Sequence, residues 1–338
     1  MKLVIQIPCY NEEGTLTSTL NDLPKKIDGI DTIEYLIIDD GSTDRTAEAA
    51  RNWGVDHIVQ FKEHKGLADG FMAGVDECLR CGADIVVNTD ADNQYCGEDV
   101  ETIVRPIIEG KADIVIGERP IDEMDFSFIK KGMQHLGSWV VRKASKTNIP
   151  DAASGFRAYS RDAAMKLNVV NRYTYTLEQI VQAGRTGISI TSVPIHTNKE
   201  LRESRLSHGM FDYIWKSVLT IGRAYMMYSP LRAFFTVSLF PILFGLALGI
   251  RYLIFYVQGY GSGHVQSLLL AVAMILVGGL LIVVGLIADM IAANRKILQE
   301  IQYRARKLDY ETEYRKRDRE ETSYGDKGTA PDKQAEST

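Results

Sequence analysis

The chain has 338 residues, of which 45% are hydrophobic and 25% charged, so it is long enough for two domains and too apolar for general disorder. Its 39 basic and 44 acidic residues give a net charge of −5, which argues against a dedicated nucleic-acid-binding protein because such proteins are usually basic. The most apolar sequence is confined to residues 233–288, which indicates a membrane part beside a soluble one.

Through the first two hundred residues, apolar segments of strand length alternate with segments of helical pattern. The predicted strands are Lys2–Ile7, Glu34–Ile38, His57–Phe61, Ala83–Asn88 and Asp113–Ile116. The predicted helices are Thr15–Leu23, Asp44–Trp53, Leu67–Leu79 and Asp99–Glu109. Such alternation is typical of right-handed β-α-β units, and it predicts an α/β domain whose mostly parallel sheet is covered by helices on both faces.

Polar, glycine-marked segments follow the predicted strands, where a parallel sheet carries its binding residues. The segment Asn88–Gln94 follows a buried strand directly, and alternate residues of an extended chain point the same way. Asp90, Asp92 and Gln94 can therefore present oxygen atoms to one point, which suits a hard divalent cation such as Mg²⁺ or Mn²⁺. A solvated acidic loop is the alternative, but the place at a strand end and the glutamine favour a metal site.

Two later segments are long and apolar enough to span a bilayer. Residues 233–257 carry one charge, Arg251, and residues 268–288 carry none. The loop between them has no Lys or Arg, whereas basic residues flank the pair on both outer sides, so the positive-inside rule predicts a hairpin with cytoplasmic termini. Apolar residues at helical spacing over residues 210–226 predict an amphipathic helix in the membrane interface; a surface helix packed on the soluble core is the alternative.

Four motifs, in this order, resemble those of a known family. They are Ile7–Glu13 (IPCYNEE), Ile38–Asp44 (IDDGSTD), the segment Asp90–Gln94 and Ser154–Tyr159 (SGFRAY). With them the chain resembles family 2 glycosyltransferases of the A-type, Rossmann-like nucleotide-sugar-binding fold. More narrowly, it resembles the branch of dolichyl-phosphate mannose synthases and bacterial polyprenyl-phosphate glucosyltransferases. The resemblance covers about residues 1–206 and, with the two apolar segments, extends to about residue 290.

The resemblance implies roles for individual residues on the donor side. Pro8, Tyr10 and Glu12 would line the nucleotide, Asp40 would bind its base or ribose, and Asp90 and Asp92 would hold Mg²⁺ or Mn²⁺ on the diphosphate, with Gln94 as a further ligand. Two residues of these motifs have simpler explanations, since Pro8 can merely end a strand and Asp44 can cap a helix.

The acceptor that the resemblance implies is a polyprenyl or dolichyl phosphate, whose oxygens are ionised at pH 7 and need positive charge more than a base. The candidate acceptor-phosphate residues are Arg119, Arg157, Arg202, Ser204 and Arg205, the last three in a segment that resembles the family's Arg-x-Ser-Lys/Arg-Leu. A solvated basic loop beside an anionic lipid surface is the alternative for that segment. The predicted catalytic set is Asp90, Asp92, Arg119 and Arg157.

No dedicated general base is expected. Some bacterial relatives carry an aspartate, proposed as a base, at the position that is Gly155 here, and neither Asp151 nor Glu178 matches it cleanly. The histidines, His64 and His196 among them, show no partner pattern, so they are expected to be structural or surface residues.

The four cysteines predict no metal site of their own. Cys78 and Cys81 form a C-x-x-C, but no second pair or nearby histidine in the sequence completes a zinc site, so a reduced, structural state is expected.

The sequence therefore predicts four parts: a cytosolic glycosyltransferase domain (1–207), an interfacial helix (208–229), two transmembrane helices within 233–290, and a charged helix with a disordered tail from Arg315 (291–338). The expected enzyme is an inverting transferase that moves one UDP- or GDP-linked sugar to a polyprenyl or dolichyl phosphate on the cytoplasmic face of the cell membrane. Transfer to another lipid or glycan, or nucleotide-sugar binding without catalysis, are the alternatives. Gly278, Gly279 and Gly285 would permit a homo-oligomer without requiring one.

Overall fold

Seven strands lie in the part of the chain that the computed structural model describes: residues 1–120, 138–139, 141–142, 145–169, 175–198, 219, 222–223, 225–226 and 229–327. The strands are β1 (Lys2–Cys9), β2 (Thr32–Asp39), β3 (His57–Gln60), β4 (Ile85–Asn88), β5 (Ile114–Glu118), β6 (Arg157–Ser160) and β7 (Ile190–Pro194). They form one sheet in the order β3-β2-β1-β4-β6-β5-β7, in which β6 alone runs against its neighbours. The predicted α/β fold with a mostly parallel sheet is confirmed.

Helices cover both faces of this sheet. They are α1 (Leu16–Asp22), α2 (Thr46–Trp53), α3 (Leu67–Arg80), α4 (Asp99–Ile108), α5 (Arg161–Lys166) and α6 (Thr176–Thr186). Because side chains alternate along a strand, Val4 and Leu36 enter one core with Phe71 of α3, while Leu3 and Ile5 enter the opposite core. Both faces of the central strands are buried, which explains their continuous apolar sequences.

The carboxyl ends of β1, β2, β4 and β5 meet at one edge of the sheet. In the register, Cys9 pairs with Asp39 in parallel β1 and β2, and Asn88 pairs with Arg157 in antiparallel β4 and β6. The polar segments that follow these strands, together with the segment that precedes β6, are therefore brought to the same edge.

Two long helices follow the domain. They are α7 (Pro230–Val257) and α8 (Val265–Lys327), joined by a short 3₁₀ turn at Gly261–His264, and both are long and apolar enough to cross a membrane. The expected hairpin is present as two packed helices, each longer than its predicted apolar segment. Its orientation in a membrane stays a prediction.

The chain from Arg315 onward was expected to be disordered, but α8 continues as far as Lys327. The continuous helix has a physical reason: extending an existing helix needs no new nucleus, and residues 315–324 contain neither Gly nor Pro. Most of the predicted interfacial helix lies outside the described residues. Within its predicted bounds, residues 219, 222–223 and 225–226 are described and are helical.

The far part of α8 packs back on the domain. The Tyr303 hydroxyl donates to Asp162 Oδ1 at 2.6 Å, and the Arg306 guanidinium donates to the Leu167 carbonyl oxygen at 3.0 Å. Tyr310 is buried, and its hydroxyl donates to Asp76 Oδ1 at 3.2 Å. One helix thus joins the apolar hairpin to the back of the α/β domain.

Candidate active site

The loops after β1 and β2 are tied to each other by hydrogen bonds. The backbone N–H of Asn11 donates to Ser42 Oγ at 3.0 Å, and Asn11 Oδ1 accepts from the backbone N–H of Thr43 at 2.8 Å. The backbone N–H of Glu12 donates to Thr46 Oγ1 at 2.8 Å. Asn11 has a φ of 56°, a left-handed conformation that asparagine tolerates better than most residues. Two of the four motifs thereby form one wall of the site.

Asp40 organises the loop that follows β3. Its buried carboxylate accepts hydrogen bonds from the backbone N–H groups of Lys65 at 2.7 Å and Gly66 at 2.9 Å, and His64 Nδ1 lies 2.9 Å from its Oδ2. The ring of His64 stacks on exposed Tyr10 with centroids 4.1 Å apart. His64 therefore has partners that its sequence neighbourhood does not reveal, because Tyr10 and Asp40 reach it from other strands.

Pro8 and Glu12 belong to the first of these two motifs. Pro8 is the penultimate residue of β1 and pairs with Ile38, so it stays within the sheet. The Glu12 side chain is buried, and its Oε2 accepts a hydrogen bond from Thr15 Oγ1 at 2.9 Å. Asp44, expected as a helix cap, accepts from the backbone N–H of Thr46 at 3.0 Å beside the start of α2.

The candidate metal ligands Asp90, Asp92 and Gln94 follow β4, and each is partly accessible. Burial, and then the charge of Asp92, raise the pKa of Asp90 from its ordinary value to about 7, with Arg119 acting in the opposite direction. The two carboxylates are crowded, and a divalent cation that prefers oxygen ligands offsets the repulsion between them. The residues therefore fit Mg²⁺ or Mn²⁺. The backbone N–H of Gln94 donates to Asp92 Oδ1 at 3.1 Å and holds the turn.

Gly155 lies directly against Asp90. A Cβ atom added at Gly155 would lie 3.1 Å from Asp90 Oδ2 and 3.2 Å from Oδ1, which is closer than ordinary contact. The segment before β6 can therefore approach the carboxylate only because residue 155 has no side chain.

Arg119, at the end of β5, is held by Asp151. Its Nε is 2.7 Å from Asp151 Oδ2 and its Nη2 is 3.1 Å from Oδ1, while the two side chains are only 10% and 2% exposed. Burial works against the charge of Arg119, but Asp151 outweighs it and raises the pKa of Arg119 above its ordinary value. Arg119 is thus a fixed cation close to Asp90, and Asp151 is occupied as its partner.

Arg157 does not lie where an acceptor phosphate can reach it, and this corrects the expectation from the sequence. The side chain is fully buried, with 0% exposure. Its guanidinium donates to the carbonyl oxygens of Ser154 at 2.8 Å, Ala152 at 3.0 Å and Thr176 at 2.9 Å, and to Gln179 Oε1 at 3.2 Å. Arg157 therefore fixes the segment beside Asp90 and is a positioning residue, because backbone carbonyls use its donors.

A buried polar network, which the sequence analysis did not predict, holds the segment beside Asp90 in place. Gln6 Nε2 donates to Asn88 Oδ1, and Asn88 Nδ2 donates to the Gly155 carbonyl oxygen and to the Tyr175 hydroxyl, all at 2.9 Å. The backbone N–H of Gly155 donates to the Tyr95 hydroxyl at 3.0 Å. The signal was available, since Gln6 and Asn88 interrupt apolar strands and pair with each other in the β1–β4 register.

The remaining acceptor-side candidates, Arg202, Ser204 and Arg205, lie outside the described residues. The structure therefore brings together Tyr10, Glu12, Asp40, Asp90, Asp92, Gln94 and Arg119 at one edge of the sheet and buries Arg157 behind them.

Comparison with known proteins finds related sequences along most of the domain. The sequence model of the family described as "Glycosyl transferase family 2" matches residues 4–167. A UDP-N-acetylglucosamine–dolichyl-phosphate N-acetylglucosaminyltransferase of Methanococcus voltae is 28% identical over 213 residues, which are 56% of this chain and 83% of that protein. An undecaprenyl-phosphate mannosyltransferase of Micrococcus luteus is 28% identical over 235 residues, which are 66% of this chain and 93% of that protein.

Among solved structures, the chain is similar to glucosyl-3-phosphoglycerate synthase from Mycobacterium tuberculosis, crystallised in complex with Mn²⁺, UDP and glucosyl-3-phosphoglycerate. The TM-score is 0.52 at 16% identity, over 67% of this chain and 78% of that one. At this identity the likeness concerns the fold.

Proposed function

The chain belongs to glycosyltransferase family 2 and is a glycosyltransferase, and we propose that it transfers one sugar from a UDP- or GDP-linked donor to a polyprenyl or dolichyl phosphate at the cytoplasmic face of a membrane. The observation that carries the proposal is that the Asp90–Asp92 carboxylates and the fixed cation Arg119 meet at one sheet edge. The same chain carries two helices apolar enough to span a bilayer, which supports a lipid acceptor.

On the donor side, Asp90, Asp92 and Gln94 would hold Mg²⁺ or Mn²⁺, which when bound offsets the negative charge that grows on the leaving diphosphate. The wall formed by the loops after β1 and β2 would hold the nucleoside, with Tyr10 and Asp40 facing it. The Mn²⁺ and UDP bound by the structurally similar synthase support this assignment.

On the acceptor side, a phosphate oxygen would attack the anomeric carbon as the bond from that carbon to the diphosphate oxygen breaks. One displacement of this kind inverts the configuration at that carbon, and the nucleoside diphosphate leaves. Because the acceptor oxygen is already ionised near pH 7, positive charge is needed to position it, and Arg119 supplies a cation that burial keeps fixed. Arg202, Ser204 and Arg205 would add further contacts.

The test is transfer of radiolabelled sugar into an organic phase by the purified full chain. UDP-N-acetylglucosamine, UDP-glucose and GDP-mannose are offered separately with undecaprenyl or dolichyl phosphate and Mn²⁺ or Mg²⁺. We expect labelling from one donor, abolished by chelation and reduced about a hundredfold or more by Asp92→Asn because a metal ligand is lost. Glu48→Gln, which removes an exposed carboxylate from α2, is the matched control and keeps full activity.

The outcomes separate the alternatives. Donor hydrolysis without lipid labelling would reject the polyprenyl or dolichyl acceptor and favour another lipid or glycan. Metal-independent donor binding without hydrolysis or transfer would overturn the proposed chemistry and favour a binding protein.

A further inference from the structure

A second cluster of metal-ligating side chains lies on the sheet away from the candidate active site. It consists of Glu34 in β2, His57 at the start of β3 and Cys81 just after α3. Asp90 follows the carboxyl end of β4, whereas Glu34 and His57 lie in the amino-terminal halves of parallel strands, so the two clusters are at opposite edges.

The fold brings the three residues together across the sequence. Leu36 pairs with His57 in the β2–β3 register, and Glu34 lies two residues before Leu36, on the face that α3 covers. Because α3 runs back from the carboxyl edge, its last turn delivers Cys81 to the same place. One oxygen of Glu34, one ring nitrogen of His57 and the Cys81 sulfur all lie within 4.8 Å of one another.

We propose that Glu34, His57 and Cys81 form a binding site for a thiophilic divalent cation such as Zn²⁺, which fastens the end of α3 to β2 and β3. Thiolate, imidazole and carboxylate together are a donor set that proteins use for zinc, with a water molecule free to take a fourth position. Ligand atoms on one tetrahedral zinc ion lie about 3.5 Å apart, so side-chain adjustments of about 1 Å complete the geometry.

Charged groups of both signs surround the three proposed ligands. His57 Nε2 lies 2.8 Å from Glu34 Oε2, so these two groups already converge. Lys2 Nζ lies 2.7 Å from the other oxygen, Glu34 Oε1; it orients the carboxylate, although its positive charge opposes that of the ion. Glu77 Oε1 lies 3.7 Å from the Cys81 sulfur and adds negative charge, which Arg80 Nη1, 3.7 Å from Glu77 Oε2, partly offsets. Binding would release the Cys81 thiol proton, after which two anionic ligands balance the ion.

Cys78, the first cysteine of the C-x-x-C, is not part of this site. Its buried sulfur lies 3.8 Å from Gln6 Oε1, in the core under α3. The C-x-x-C motif therefore supplies one ligand of the proposed site, and the other two ligands come from strands β2 and β3. This explains why the spacing of residues in the sequence indicated no zinc site.

The test uses Co²⁺ as a spectroscopic substitute for zinc in the purified full chain with Asp92→Asn, which weakens the other candidate metal site. We expect about one equivalent of Co²⁺ to bind with a thiolate-to-metal charge-transfer band. Cys81→Ser should remove the band and His57→Gln should weaken or remove it. Cys96→Ser, which alters a partly buried cysteine beside the other edge, should leave it unchanged.

Thermal unfolding gives a second readout in the same background. Zn²⁺ should raise the unfolding temperature of the protein and of Cys96→Ser, but not that of Cys81→Ser, because the ion binds the folded state. A band that is absent from the parent, or that persists at full strength in either Cys81→Ser or His57→Gln, would overturn the proposal and leave the cluster as an ion pair beside a thiol. Circular dichroism of each variant separates loss of the site from loss of the fold.

Discussion

Gly155 is the residue of the segment before β6 that lies directly against Asp90 in the candidate active site. An added Cβ would press on both carboxylate oxygens of Asp90 and lie 3.4 Å from the Tyr175 hydroxyl, although the backbone conformation itself is open to other residues. The substitution Gly155→Ala should therefore displace Asp90 by a few tenths of an ångström and leave the fold intact. We expect kcat/KM for sugar transfer to fall about tenfold or more, with little change in unfolding temperature.

Gly263→Ala is the matched control for that substitution. Gly263 lies in the turn between α7 and α8, and nothing is within 4 Å of an added Cβ there. Equal kinetics for both variants would contradict the close approach of Gly155 to Asp90. A large loss of stability in Gly155→Ala would instead show that the buried network around Asn88 is disrupted.

At the same scale, the sequence predicted the residues whose position follows from chain order. The positions of Asp90 and Asp92 could be predicted because these residues follow a buried strand directly, and that of Arg119 because it follows another. The surroundings of Arg157 and His64 could not be predicted, since their partners come from distant segments: Arg157 binds the Thr176 carbonyl, and His64 reaches Tyr10 and Asp40. Local pattern carries no information on such contacts.

The strands and helices likewise divide into those that local sequence predicts and those that depend on distant segments. The strands and helices predicted over the first 120 residues agree with the structure to within about two residues, because each is bounded by turns and has clear periodicity. The elements β6, α5, α6 and β7 were not predicted. β6 has only four residues and runs antiparallel between β4 and β5, so its existence depends on strands far away in the sequence.

The glycines of the apolar hairpin allow a prediction at the scale of two helices. A Cβ added at Gly278 would overlap Ile242 Cγ1 and lie 3.2 Å from the Ser238 carbonyl oxygen on α7, whereas nothing is within 4 Å at Gly279. Gly278→Ala should therefore destabilise the hairpin by about 1–3 kcal/mol through overpacking. Gly279→Ala should be neutral or stabilise it by about 0.5–1 kcal/mol, because alanine favours a helix.

Thermal unfolding of both variants in detergent measures the sign of each effect. Because adjacent residues receive the same substitution, a general preference of the helix for alanine would move both unfolding temperatures upward. That result would contradict the close α7–α8 contact at Gly278 and would leave this glycine available for contacts between copies of the chain.

For the whole molecule, the important contact is the one between α8 and the back of the α/β domain. The apolar part of α8 and its docked residues belong to one helix, and residues 288 to 303 correspond to about 22 Å along its axis. If the hairpin lies in a bilayer, this helix sets the height and tilt of the candidate active site above the lipid. Arg306 is central to the contact, since it donates to the Leu167 carbonyl oxygen and lies 3.5 Å from Asp76.

Arg306→Ala should therefore slow transfer to a long-chain acceptor in vesicles several-fold and spare transfer to a short-chain, water-soluble polyprenyl phosphate. Arg304→Ala is the matched control, because it removes the same charge two residues away. Arg304 is 74% exposed and pairs with Glu300 on its own helix, whereas Arg306 is 19% exposed. Equal slowing by both variants would assign the effect to attraction between basic residues and anionic lipid. Equal slowing with both acceptors would mean that α8 stabilises the domain itself, and only a loss specific to Arg306 and to the membrane-bound acceptor requires the helix to position the site.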